Sequence, residues 1–206
     1  SNLEIFSTRF SLPIFADASS GLRFRSKPLS NLISNYDALV RCDSFPKLFT
    51  PKFVLHFGRT LTSPKLDNYF SVVKPSGFVI NKFGDVYDTS GRFKVIRLSA
   101  EVFLENLIKS VPVNQNDFSI QLKTLKELDI KITKLKPEIF SLSKKINETG
   151  LLLSIIDSIP PNSNLMIGNS IPIRDLDFFT SAVNKNINVF QNRGASGIDG
   201  ITSTAL

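Results

Sequence analysis

Tryptophan is absent from this 206-residue chain, and cysteine, histidine and methionine occur once each. The single cysteine, Cys42, excludes an intramolecular disulfide framework and a cysteine-rich metal site. The single histidine, His56, argues against a histidine metal cluster and against a Ser-His-Asp triad. No apolar run approaches the roughly 18 residues of a membrane helix. The opening Ser1-Asn2-Leu3-Glu4 lacks the basic and apolar regions of a signal peptide. With no initiating Met, the chain reads as an excised piece or a processed product, Ser1-Asn2 being a candidate tag remnant. The dinucleotide fingerprint G-x-G-x-x-G and the phosphate loop G-x-x-x-x-G-K are both missing. No repeat of roughly 20–50 residues is found either.

What is present is a globular composition. Apolar residues make up 42% and charged residues 21%, which excludes wholesale disorder. The 18 phenylalanines fit AT-rich coding and carry little functional weight. The net charge of +7 raises the question of nucleic acid. However, the basic residues are dispersed. The densest stretch, Lys123 to Lys145, is interleaved with Leu and Ile at helical spacing, as on a solvated helix face.

Strand and helix patterns alternate along the chain. Leu12–Ala16 and Phe53–Phe57 are short apolar runs that suit buried strands. Gly77–Phe83, Phe93–Leu98, Asn164–Gly168 and Ile187–Phe190 supply further strands. Pro28–Cys42 has an apolar stripe and predicts an amphipathic helix. Ser63 or Thr62, with Pro64, predicts the capped start of another. Ser99 predicts a third cap. From Asp117 to about Thr149 the pattern is helical, with Pro137 expected to kink or split it, and a helix at about Gly150–Ser158 follows. Pro172 to about Val183 predicts one more. The Lys109–Asp117 link reads as a loop inside one domain. The expected fold class is α/β: a Rossmann-like three-layer sandwich with about six mostly parallel strands and helices on both faces.

In such a sheet, ligands gather beyond the carboxyl ends of the strands. Three segments there carry anion-binding equipment. Gly58–Lys65 joins a strand to a helix start and bears Arg59 and Lys65; its plainer reading is a capped helix with two surface bases. Gly168–Asp175 offers Ser170 as cap or ligand donor. Its Arg174 lies one turn inside and can grip a carboxylate at two points, or pair locally with Asp175 or Asp177. Asn192–Gly197 places Arg193 directly after a strand. His56 sits within a strand pattern and reads as a partly buried structural residue.

Spacing goes no further, but several strings resemble one family. Gly168-Asn-Ser-Ile-Pro-Ile-Arg-Asp-Leu-Asp177 is followed by Asn192-Arg-Gly-Ala-Ser-Gly-Ile-Asp-Gly200 and Ser203-Thr-Ala205. Upstream stand Leu12-Pro-Ile-Phe-Ala-Asp-Ala-Ser-Ser-Gly-Leu-Arg23, Tyr36-Asp-Ala-Leu-Val-Arg41, Phe57-Gly58 and Thr62-Ser63. Together they resemble the thiamine-diphosphate-dependent 2-succinyl-5-enolpyruvyl-6-hydroxy-3-cyclohexene-1-carboxylate (SEPHCHC) synthases. The resemblance spans about Leu12 to Ala205; no string in Asp117–Thr149 matches.

The resemblance implies a three-domain enzyme. Residues 1–191 would be its Rossmann-like middle domain, and 192–206 the start of the C-terminal thiamine-diphosphate-binding domain. The family decarboxylates 2-oxoglutarate on thiamine diphosphate, with Mg²⁺ or Mn²⁺, and adds the succinyl carbanion to isochorismate. That is a step toward menaquinone or phylloquinone, in the cytoplasm or a plastid. The family's cofactor and metal residues would then lie outside this chain, and the chain alone would be inactive. By motif position Asn169, Ser170, Arg174 and Arg193 should contact substrate. Where the family carries Lys after its Thr-Ser pair, this chain has Pro64; Lys65 either substitutes from one residue along or the contact is lost. Asp17 and Arg41 read as structural, and Arg23 as lining a basic effector pocket. The family forms dimers or tetramers. The competing classes are a Rossmann-like nucleotide-binding module and a basic nucleic-acid-binding domain, and neither a nucleic-acid partner nor a membrane span is expected.

Overall fold

The computed structural model describes residues 1–59, 61–84, 86, 88, 91–112, 118–141, 147–192 and 200–205. Helix α1 (Asn2–Arg9) leads to strand β1 (Ile14–Phe15) and a 3₁₀ turn at Ala18–Ser20. Strand β2 (Leu32–Ile33) precedes short helices α2 (Tyr36–Val40) and α3 (Phe45–Leu48). Next come β3 (Phe53–Phe57), α4 (Pro64–Val73), β4 (Ser76–Ile80), β5 (Phe93–Ile96) and α5 (Ala100–Ser110). The rest is α6 (Ser119–Ser141), α7 (Glu148–Ser158), β6 (Ser163–Ile167), α8 (Ile171–Phe179), β7 (Ile187–Gln191) and α9 (Ile201–Ala205).

All strand pairs are parallel, as alternation of strand and helix requires. The described strands form three ladders, β1–β2, β3–β4–β5 and β6–β7, where one six-stranded sheet was expected. In β3–β4 the register sets Val54 opposite Gly77, and a Cβ on Gly77 would lie 2.0 Å from the Val54 carbonyl oxygen. Only glycine permits that approach. A parallel bridge between Phe24 and Val183 ties the segment after the 3₁₀ turn to the chain entering β7.

Helix starts follow local chemistry. The Ser63 hydroxyl accepts from the Leu66 amide at 3.3 Å and Pro64 occupies the first turn of α4. Ser99 accepts from Val102 at 3.3 Å at the start of α5, and Asn147 from Gly150 at 2.7 Å at the start of α7. The His56 ring nitrogen Nε2 hydrogen-bonds the Arg59 carbonyl at 2.8 Å, a structural role.

Three expectations need correction. Pro28–Cys42 is not one helix. Leu32–Ile33 pairs with β1, Ile14 donates to the Asn31 carbonyl at 2.9 Å, and Asn31 Nδ2 donates to the Ser7 carbonyl at 3.0 Å. These tertiary bonds override the apolar stripe. Pro137 does not split its helix, since α6 continues through it to Ser141. The lysine-rich face is not wholly solvated either, because Lys136 is buried while Lys123, Lys131 and Lys134 are exposed.

Three apolar clusters are present among the described residues, a small one around Ile14, Ala16, Leu29 and Leu32 and two larger ones. Phe24, Leu152, Ile156, Ile167, Ile173, Leu176 and Ile187 pack β6 and β7 against α7 and α8. Ile33, Tyr36, Leu39, Phe45, Leu66, Tyr69 and Leu125 join β2, α2, α3, α4 and α6. Some of the phenylalanines pack here: Phe15 stacks on Tyr36 at 5.5 Å and Phe45 meets Tyr69 at 5.2 Å. Each such ring buried contributes about 1.5–3 kcal/mol. Among the described residues, no helix is long and apolar enough to cross a membrane.

Gly77→Ala should destabilise the chain by about 1–3 kcal/mol through forced displacement of the β3–β4 ladder. Chemical unfolding checks this, and a midpoint equal to that of the parent chain would contradict it.

Candidate functional site at the carboxyl ends of β6 and β7

β6 and β7 end in register, Ile167 opposite Gln191. Beyond β6 the chain turns through Gly168-Asn169-Ser170 into α8, with Pro172 in the first turn. Beyond β7 it reaches Asn192. Asn169 Nδ2 donates to the Asn192 carbonyl at 3.3 Å, joining the two exits. Asn192 Nδ2 in turn donates to Thr204 Oγ1 at 3.2 Å. Asn169 Oδ1 and Gln191 Oε1 are buried acceptors with no partner among the described residues. Such groups are costly to leave unpaired, so the rim holds unmet hydrogen-bonding capacity. Gln191 at the β7 exit is not singled out by the sequence; it has no motif value, and only its buried, unpartnered oxygen draws notice.

Ser170 is exposed and adopts φ 71° and ψ −119°, a conformation that serine rarely takes. Its side chain makes no cap hydrogen bond, so capping does not account for the strain. The hydroxyl makes no hydrogen bond among the described residues, and the strained backbone costs on the order of 1–3 kcal/mol. Arg174, one turn on, is exposed. The local pairing with Asp175 or Asp177 does not occur. Thr149 Oγ1 is 3.5 Å from Asp175 Oδ2, and Asp177 is paired with Arg23. Among the described residues Arg174 has no ion-pair partner.

Lys65 is exposed on the first turn of α4, and no contact joins it to Ser170 or Arg174. Arg193 and the glycine-rich string 193–199 lie outside the described residues, as do residues 113–117 of the expected Lys109–Asp117 link.

Beneath the two strand exits runs a buried polar network. Arg23 is 0% exposed, which overturns the expectation that it lines an effector pocket. Its Nε donates to the Ala16 carbonyl at 2.6 Å. Nη1 donates to the Asp177 and Thr180 carbonyls at 2.6 and 3.0 Å, and Nη2 to Asp177 Oδ1 at 2.9 Å. The Tyr36 hydroxyl lies between Asp17 and Asp177. Asp17 Oδ2 accepts from the Thr62 amide at 2.7 Å, just before α4. Beside it Ser63 donates to Asp37, and Asp37 also accepts from Arg41 at 2.8 Å. Arg41 in turn lies 4.7 Å over the Phe178 ring. The network therefore fastens the start of α4 to α8.

Burial also perturbs its titrating groups. Desolvation lowers Lys136 to about 8, with Arg23 adding repulsion. Lys136 Nζ donates to Asn35 Oδ1 and to the Phe178 carbonyl. Desolvation pushes the Tyr36 phenol upward, aided by the charge of Asp17.

No protein-family model matches the chain. Curated relatives do, along nearly all of it. A 2-succinyl-5-enolpyruvyl-6-hydroxy-3-cyclohexene-1-carboxylate synthase of Rippkaea orientalis is 33% identical over 205 residues, 97% of this chain and 34% of the relative. A synthase of the same name from Staphylococcus aureus is 32% identical over 98% of this chain, and that of Trichodesmium erythraeum 29% over 97%.

Over nearly its whole length the chain is similar to SEPHCHC synthases. It spans about a third of the length of the SEPHCHC synthases it matches. The α/β architecture with parallel ladders agrees with the Rossmann-like class expected from the resemblance.

Replacing Ser170 by Gly should raise the stability of the chain by about 1 kcal/mol, because the left-handed backbone ceases to cost strain. Thermal unfolding of the two chains side by side is the check; a less stable glycine variant would refute the strain.

Proposed function

We propose that this chain is the Rossmann-like middle portion of a SEPHCHC synthase, residues 1–191, followed in 192–206 by the start of the cofactor-binding domain. The whole enzyme is then a transferase that decarboxylates 2-oxoglutarate and joins the succinyl unit to isochorismate, releasing CO₂. The observation that carries this reading is the similarity to such synthases over nearly the whole chain. The chemistry of the strand exits supports it. Both substrates are anionic and bear groups that hydrogen-bond, and the exits offer an unpaired guanidinium, a free hydroxyl and unmet amide acceptors.

In this reading Arg174 grips a substrate carboxylate in a two-point bond. Ser170 donates its hydroxyl to the same ligand, and Asn169 orients it from the β6 exit. Arg193, next after Asn192 in the sequence, adds a second cation, and Lys65 on α4 either adds a third or that contact is lost. Thiamine diphosphate, held with Mg²⁺ or Mn²⁺, supplies the carbon–carbon chemistry when bound to the whole enzyme. Among the described residues no three His, Cys, Asp or Glu side chains converge as metal ligands. Nearby Asp17 and Asp177 are engaged by Arg23, Tyr36 and backbone amides. We assign these residues no part in holding cofactor or metal. The reading further places the enzyme in the cytoplasm or a plastid, as a dimer or tetramer, on the route to menaquinone or phylloquinone.

Arg174→Ala in the full-length enzyme should cut turnover at least about tenfold, equivalent to about 1.4 kcal/mol of transition-state binding. A steady-state assay with 2-oxoglutarate, isochorismate and thiamine diphosphate measures it, and an unchanged rate removes Arg174 from the site. In the same assay residues 1–206 alone should form no product; turnover by them would contradict the assignment.

A further inference from the structure

Two buried carboxylates meet one phenol. The Tyr36 oxygen lies 2.5 Å from Asp17 Oδ1 and 3.0 Å from Asp177 Oδ2. A phenol has one proton and cannot donate along both lines. The shorter line has the length of a bond to an anion, and the longer does not. Asp17 also takes the Thr62 amide at 2.7 Å on its other oxygen, so Asp17 is the anion that Tyr36 serves. Asp177 Oδ2 is then left facing an oxygen whose own proton points away. Two bare oxygens at that separation repel, and a proton on Asp177 turns the contact into a bond.

Charge counting agrees. Two carboxylates, Asp17 and Asp177, share this pocket with one directly bonded cation, Arg23, which lies on Asp177 Oδ1. Other charged groups around it are bonded elsewhere, Lys136 acting on Asp177 only through space. Asp37 on α2 is paired with Arg41, and Asp129 on α6 accepts from the Asn35 amide at 2.7 Å. Lys136, also on α6, sits with Asn35 and the Phe178 carbonyl. On α8 itself, Asp175 is turned toward Thr149 and Glu148. Were both carboxylates anions, they would have one directly bonded cation between them, so one proton on the pair relieves the excess negative charge.

We propose that the arrangement seen here is a protonated one, in which Asp177 is a neutral carboxylic acid donating from Oδ2 to Tyr36, which donates to Asp17. Asp177 Oδ1 remains the acceptor for Arg23 Nη2 and the Ala18 amide, both at 2.9 Å. One shared proton thereby clasps α8, which carries Ser170 and Arg174, to the start of α4, which carries Lys65. Raising the pH removes that proton, sets Asp177 against Tyr36 and Asp17, and loosens the clasp. Burial raises Asp177 to about 6 against the pull of Arg23, with Asp17 raising it further. Because the folded value exceeds the unfolded one, the contribution is full below about pH 4 and lost as pH rises through about 6. This inference stands apart from what the site binds.

The test needs only the chain. Carboxyl ¹³C NMR, assigned through Asp177→Asn, follows the titration of Asp177. The expected midpoint lies at least about one pH unit above the ordinary 3.8; a midpoint at or below 3.8 overturns the proposal. Asp177→Asn keeps a donor toward Tyr36 and an acceptor toward Arg23, so it mimics the acid. Its melting temperature at pH 7 should equal or exceed that of the parent chain and lose the parent's decline between pH 4 and 7. Asp17→Asn, which removes the anion, should melt lower at every pH. If Asp177→Asn falls as far as Asp17→Asn at pH 5, Asp177 is an ordinary ion-pair partner and the clasp does not exist. Should either variant fail to fold, the titration of the parent chain decides.

Discussion

A guanidinium sealed from water is tolerated only when oxygens surround it, and Arg23 sets that condition for the whole molecule. Its donors reach Ala16, Asp177 and Thr180, so the segment after β1 and the last turn of α8 are held at one point. Asp17 and Tyr36 extend the hold to α2 and, through the Thr62 amide, to α4. No other polar cluster described here joins so many elements. The apolar clusters on either side supply most of the burial energy, but they are not directional. The polar core fixes which helix start faces which strand exit.

This dependence explains why the candidate site sits where it does. Parallel strands point all their carboxyl ends one way, and the helices that follow begin there with free amides. Relative placement of those helices is a separate problem, which the sheet alone does not solve because its strands fall into three short ladders. The Arg23 network supplies the missing tie beneath the rim. It also engages Asp177, one of the two local acids that Arg174 was expected to pair with.

Legibility from sequence followed the range of the interactions involved. Ser63-Pro64 and Ser99 announced helix starts because a cap acts within three residues. Phe53–Phe57 announced a strand because an apolar run bounded by glycine has few other uses. Leu32–Ile33 was hidden, since a two-residue strand has no period and its pairing with Ile14 is a tertiary event. Of the two outcomes expected at Pro137, a kink or a split, the split does not occur, since α6 runs on to Ser141. At the site, the Asn169–Ser170–Arg174 string was visible as a motif. The fate of Arg23 was not. A surface arginine and a buried one look alike in sequence until their oxygens, here up to 157 residues away, are known.

The twisted backbone at Ser170 has a consequence for recognition. Much of the free energy of binding by a loop is ordinarily consumed in freezing it. Here the serine sits between the end of a strand and a proline-started helix, in a conformation it reaches only under constraint. The backbone that carries its hydroxyl is therefore set in advance, so a ligand held there, as the proposed function has it, would consume little free energy in ordering the main chain at this position.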